Sequence, residues 1–304
     1  MKSPKVILAL VLVQVLFATL PIAVKIALRE LSSPALALLR VTGAAALFWV
    51  LQRTLVRERI QSWRDYRLLA AYSLFGVILN QLLYITALSL TTATAAQTLV
   101  TAGPAMTLLI AIIAGKETAT RAKWLGIALA GCGALVLVGV GLHEGSALGN
   151  LLALLNVASY SIYLVISRGL LRRYNALTVI TWVFTFGVVG ILPWGIVPAV
   201  REVGGMSTTS WLAMAWIVAL PSVAAYYLNT WALGRAESSL VSTFVYMQPP
   251  ITAALAAWFL GERISARMLP AVVLIFAGVW VAIQAGRTRK SPTPSPEDQE
   301  VVEP

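Results

Sequence analysis

The chain has 304 residues, of which 59% are hydrophobic and only 12% charged, against about 25% charged in soluble domains. Apolar runs of about 20 residues, the length that crosses a bilayer, recur along nearly the whole chain and exclude a soluble globular fold. The net charge of +11 reads as Lys and Arg gathered in loops on one side of a membrane rather than as a nucleic-acid surface.

In chain order, ten spans can be marked: 6–28, 34–52, 68–90, 93–115, 124–142, 147–167, 176–198, 211–233, 239–260 and 267–286. The first follows Lys2 and Lys5 like a signal peptide. Its apolar run is too long for that, however, and no A-x-A site follows it. The division at Gly141–Ala147, around His143 and Glu144, decides every later orientation. If the N-terminus is cytoplasmic and the spans alternate, 17 of the 23 Lys and Arg lie inside and 4 outside, with Lys25 and Arg40 within spans. That asymmetry favours ten spans with both termini cytoplasmic, in a bacterial inner membrane. The segment 287–304 is Pro-rich and acidic and is expected to be a disordered cytoplasmic tail.

The segment Ala87–Glu117 returns 145 residues later as Ala232–Glu262, with Thr98/Thr243, Pro104/Pro249, Thr107/Thr252 and Glu117/Glu262 in register. The match continues through Gly133/Gly278, giving 11 identities over positions 87–136. Such an internal repeat implies two halves, 6–142 and 147–286, of five spans each. Five is odd, so the second half crosses in the opposite sense. This is the inverted repeat that places a substrate near the midplane of secondary transporters. Pro104 and Pro249 fall near the middle of spans four and nine. Each removes a backbone N–H there, and the matched placement favours a pair of hinges over packing kinks.

The fold class expected is therefore all-α, a polytopic membrane protein of ten transmembrane helices in two inverted five-helix repeats. The chain resembles the drug/metabolite transporter superfamily, specifically its EamA-type members. The resemblance rests on Lys25, Ser33-Pro34 followed by Arg40, Tyr84-x-x-Ala87-Leu88 leading to Pro104, and the Lys116-Glu117 and Gly261-Glu262-Arg263 turns. It covers about residues 6–286 and implies a central cavity lined by spans one, three, four, six, eight and nine, with Tyr84 among its residues. The chain departs from the family in two ways. Lys25 and Arg40 have no basic counterpart in the second half, and the tryptophan common early in span one is absent, with Gln14–Thr19 there instead.

Charges inside spans are costly and are functional candidates by default. Arg40 lies about 9 Å into span two and can hold a carboxylate by two parallel hydrogen bonds. Lys25, near the outer end of span one, can do the same or snorkel. No Asp or Glu lies mid-span, which disfavours a cation/proton antiporter built on a buried glutamate. Midplane polar residues supply further substrate-binding candidates: Asn80, Gln97, Asn156, Tyr160, Tyr226, Asn229 and Tyr246, with Gln81, Thr101 and Gln248 beside them. The alternative for each is interhelical hydrogen bonding. Glu117 and Glu262 read as helix-end or ion-pair residues, and Thr120 and Ser265 as N-caps.

One histidine, one cysteine (Cys132) and no clustered carboxylates leave a membrane enzyme without catalytic or metal-binding candidates. No cofactor is implied. A receptor subunit would leave the inverted halves unexplained. The sequence points to a transporter exporting an amino acid or related small metabolite, with a multidrug or cationic-compound exporter as the alternative. Its partners are that small molecule and the lipid bilayer, with no nucleic acid, and it is a monomer or homodimer.

Overall fold

The computed structural model describes residues 4–116, 120–144, 146–171, 173–233, 244–263 and 266–287. Glu117, Ser265, the start of the expected ninth span (239–243) and the tail from 288 onward lie outside these residues. The described residues form helices and no strand. Helix α1 is Pro4–Ala27 and α2 is Ser33–Leu51. The third span is α3 (Trp63–Ser73), a π-helical turn (Leu74–Ile78) and α4 (Leu79–Leu90). The fourth is broken into α5 (Ala93–Val100) and α6 (Gly103–Ile113). Then come α7 (Arg121–Glu144), α8 (Ala147–Ile166), the short α9 (Arg168–Leu171) and α10 (Ala176–Glu202). The stretch expected as the eighth span is α11 (Thr208–Ile217), a π-helical segment (Val218–Ala224) and α12 (Ala225–Leu233). Helices α13 (Gln248–Leu260) and α14 (Leu269–Arg287) complete the order.

Six of these stretches are long and apolar enough to cross a membrane, or seven if the bent pair Ala93–Val100 and Gly103–Ile113 is one span. The protein is thus an all-helical, multi-pass membrane protein. Helix α7 ends at Glu144 and α8 starts at Ala147, so the two runs around His143 are separate helices.

The packing pattern maps onto itself under the 145-residue offset. Helix α2 packs on its counterpart α10, and α7 on its counterpart α14. Helix α4 lies on α8 as α11 and α12 lie on α1, and α6 lies on α8 as α13 lies on α1. Thr107 and Thr252, identical in the repeat, make matching bridges. Thr107 Oγ1 donates to Ser161 Oγ at 3.0 Å, and Thr252 Oγ1 donates to the Ala18 carbonyl at 2.9 Å. Gly133 and Gly278 are matched for a different reason. A Cβ on Gly133 would lie 2.7 Å from the Ile275 backbone nitrogen, and one on Gly278 would lie 2.6 Å from the Gly126 carbonyl oxygen. Small residues let these two backbones touch, which is how helices gain packing energy where lipid supplies no hydrophobic drive.

The π-helical turns also match. Leu74–Ile78 shifted by 145 residues falls inside Val218–Ala224, so both copies carry the widened turn at the same place. Such turns release backbone carbonyls, and the Phe75 carbonyl accepts from Ser159 Oγ at 2.8 Å. The prolines correct the sequence reading. Pro104 and Pro249 occupy the first turns of α6 and α13, not the middle of continuous helices. A proline at a helix start forfeits no intrahelical hydrogen bond, and α5 and α6 meet at 41° immediately before Pro104.

Helix starts carry the acidic residues. On the side opposite the N-terminus, Glu30 accepts from the Ser207 N–H and hydroxyl at 2.8 and 2.7 Å, where α11 begins. Glu202 accepts from the Ser32 N–H at 2.7 Å, where α2 begins. On the N-terminal side Glu58 accepts from the Asn175 N–H at 2.8 Å, where α10 begins. Each carboxylate meets free N–H groups and the positive end of a helix dipole.

Replacing Gly278 by Val is expected to destabilise the protein by about 1–3 kcal/mol through overpacking, seen as a lowered melting temperature in detergent. Gly131→Val, with nothing within 4 Å of its Cβ, should leave the melting temperature near that of the unaltered chain. The Ser207 hydroxyl, then its N–H, hold the Glu30 carboxyl below its ordinary range. A lowered folded-state value stabilises above the unfolded value of about 4.3 and is lost as pH falls through the folded one. The melting-temperature gap between the chain and Glu30→Ala should therefore close on acidification, and a gap that widened would contradict this contact.

Candidate functional site

Arg40 is placed by α2, which starts from an extended Ser32 with Pro34 in its first turn. It is only 2% exposed, among packed helices. Its Nε donates to Ser222 Oγ at 3.0 Å and its Nη1 donates to Gln81 Oε1 at 2.8 Å. Ser222 belongs to the π-helical segment of the eighth span, and Gln81 lies three residues beyond the π-helical turn of the third. The guanidinium thus joins the two matched irregularities, one from each half. Both partners are neutral, and Tyr84 and Tyr226 are close enough to interact electrostatically with it.

A second polar chain adjoins this one through Tyr84. The Tyr84 hydroxyl donates to Gln97 Oε1 at 3.5 Å. Gln97 Nε2 donates to Gln248 Oε1, and Gln248 Nε2 to Gln14 Oε1. All three amides are buried. Helices α4, α5, α13 and α1 meet along this chain, with no charged group in it. Around it lies an aromatic wall: the Tyr226 ring stands edge-on to Phe17 and Phe184, at 5.6 and 5.9 Å between centroids. Tyr160 packs beside Tyr163 at 5.6 Å.

Of the residues singled out from the sequence, Arg40, Tyr84, Gln97 and Tyr226 come together here. Asn156 does not join them: its Nδ2 donates to the Asn80 carbonyl at 2.8 Å, tying α8 to α4. Only the backbone of Asn80 takes part in that bond. Asn229 is half-buried on α12. Tyr246 packs on Phe276 at 5.0 Å, and its buried hydroxyl has no hydrogen-bond partner among the described residues. Lys25 Nζ lies 4.0 Å from Glu262 Oε1. No hydrogen bond or ion pair joins it to the Arg40 cluster among the described residues.

Glu262 was legible only as a helix-end or ion-pair residue, and it acts as the fourth capping carboxylate. It accepts from the Ala93 N–H at 2.8 Å, the Thr94 N–H at 3.3 Å and the Thr94 hydroxyl at 3.1 Å. The end of α13 is thereby fastened to the start of α5, beside Lys25, on the side opposite the N-terminus. Sequence reasoning missed Ser222 and Gln14. Ser222 looks like any small residue in a span, but Gln14 is an amide in an otherwise apolar run, a signal that was available.

The EamA-like transporter family matches residues 4–139 and again 147–284. The chain belongs to this family. Its EamA relatives include an uncharacterized transporter of Archaeoglobus fulgidus, 27% identical over 286 residues, spanning 92% of this chain and 97% of that one. A probable terminal-alkyne amino-acid exporter of Streptantibioticus cattleyicolor is 27% identical over 299 residues, 97% of this chain and 99% of its own. A WAT1-related protein of Arabidopsis thaliana is 25% identical over 319 aligned positions, covering 91% of this chain and 83% of its own. A protein solved by crystallography superposes with a TM-score of 0.61 over 93% of this chain and 98% of its own. At 20% identity it shows the shared fold alone. The chain is thus a transporter of the drug/metabolite superfamily rather than an enzyme.

Glu262→Ala removes the acceptor of two helix-start N–H groups. It is expected to destabilise the protein by about 1–2 kcal/mol, measured by chemical denaturation in detergent. In a Cys132→Ser background, a cysteine placed at Thr94 should also react faster with a membrane-impermeant thiol reagent when Glu262 is replaced. Unchanged labelling would show that this contact does not hold the face closed.

Proposed function

We propose that the chain exports amino acids or related small carboxylate-bearing metabolites across the cytoplasmic membrane by alternating access, and that Arg40 receives the carboxylate. One observation carries this reading: a buried guanidinium whose two partners are neutral. A buried charge is stable only when paired or fully hydrogen-bonded, and a substrate carboxylate would complete the pairing. Every acidic side chain described is otherwise engaged, four at helix starts and Asp65 with Arg173. The printed name of the Streptantibioticus relative, a probable amino-acid exporter, agrees with it.

The same reading includes ten spans with both termini cytoplasmic, in an inner membrane. The halves are inverted repeats that move against each other about the Arg40 cluster. The self-matching helix contacts and the paired π-helical turns support that arrangement. The 41° bend before Pro104 supplies one hinge, and Pro249, matched to it in the repeat, supplies the other. Tyr84, Gln97 and Gln248 form the wall facing the rest of the substrate, and the Tyr226–Phe184–Phe17 rings suit an apolar side chain.

Uptake of labelled amino acids by counterflow into proteoliposomes tests this directly. Arg40→Ala should lower substrate affinity about 10- to 100-fold, the worth of hydrogen bonds to a charged group. Arg40→Lys should recover part of the loss, because it keeps the charge without the planar fork. Equal flux in all three proteins, or no saturable flux across a broad metabolite panel, would refute the assignment.

A further inference from the structure

The connection between the second and third spans holds Arg53, Arg57, Arg59, Arg64 and Arg67 with only two acidic residues, Glu58 and Asp65. Both acids face inward. Glu58 caps Asn175, and Asp65, 1% exposed, is held by Arg173 Nη2 at 2.6 Å and by the Tyr174 hydroxyl at 2.7 Å. Helix α3 is therefore pinned by one face, and the opposite face carries Trp63, Arg64 and Arg67. With Leu68 these three line a surface recess of about 500 Å³. The guanidinium groups of Arg59, Arg64 and Arg67 have no hydrogen bond or ion pair among the described residues.

Cationic loops on one side of a membrane are ordinary and need only the charge count. This segment adds two things. Trp63 is 76% exposed and Leu55 63% exposed, large apolar side chains set among arginines. The backbone is also ordered: Ser62 caps α3 by accepting from the Arg64 N–H at 3.2 Å, and the loop turns at Arg57 with φ +53° while its Nε donates to the Arg53 carbonyl at 3.1 Å. Arg53 in turn lies over the Trp49 ring at 5.3 Å. A preorganised row of free guanidinium groups with an exposed indole suits a phosphate that has acyl chains attached. The indole sits at headgroup level and the arginines take the phosphate oxygens.

We propose that Arg64 and Arg67, with Trp63, form a binding site for the headgroup phosphate of an anionic phospholipid at the membrane surface from which α1 starts. It is separate from the Arg40 cluster, and its validity does not depend on what the protein transports. The acidic segment Ser291–Pro304 is the competing occupant.

The test is native mass spectrometry of the full chain in detergent, titrated with phosphatidylglycerol or with phosphatidylcholine. The double variant Arg64→Gln/Arg67→Gln should weaken phosphatidylglycerol binding about thirtyfold, as expected for two interfacial charges. Phosphatidylcholine binding should not change, and neither should the melting temperature without lipid, since both side chains are exposed. Arg121→Gln, an exposed arginine at another helix start, should bind like the unaltered chain. Equal phosphatidylglycerol affinity in the double variant would overturn the site. Complete displacement by inorganic phosphate would make it a free-anion site instead. Binding that appears only after Ser291–Pro304 is removed would give the surface to the tail.

Discussion

A helix start leaves N–H groups that need acceptors, and this constraint orders the molecule. Each helix leaves its first N–H groups without intrahelical partners, and at the ends of the spans the positive end of the helix dipole favours a carboxylate. The chain answers with carboxylates borrowed from elsewhere in the sequence. Glu30, Glu58, Glu202 and Glu262 each reach a helix that begins at least 117 residues away, so the caps also fasten distant spans together. Among the described residues no carboxylate hydrogen-bonds or ion-pairs with Arg40.

That shortage gives the candidate site its character. Arg40 is held by a serine and a glutamine, and the neighbouring chain of Tyr84, Gln97, Gln248 and Gln14 is neutral throughout. Neutral donors and acceptors fix the guanidinium without cancelling its charge. Its two partners belong to different halves, so Arg40 ties α4 to the π-helical segment Val218–Ala224. Widened turns of this kind are frequent at functional sites because they leave carbonyls free and can shift register.

The repeated residues prove to have separate physical reasons. Gly133 and Gly278 are identical because two backbones touch there and a Cβ would collide. Thr107 and Thr252 are identical because each bridges to the span that packs against it. Pro104 and Pro249 lie in the first turns of α6 and α13, and α6 follows a 41° bend. The sequence placed them mid-helix, and the structure puts them at helix starts, where no intrahelical hydrogen bond is lost. The sequence pattern could not reveal the bend, because the stretch 93–113 has the length of one span that crosses a bilayer.

The all-helical class and the doubling at 145 residues were determined by the sequence alone, which also marked Arg40 as a charge within a span. Bilayer thickness sets span length, and buried charge is rare enough to stand out in any apolar run. Partners were another matter. Asn156 and Gln97 are both midspan amides, yet one ties a neighbouring helix through the Asn80 carbonyl and the other enters the buried chain beside Arg40. Ser222 carried no signal until the π-helical segment turned it toward the guanidinium. Those outcomes depend on which faces of distant helices meet, and only the packed tertiary structure decides that.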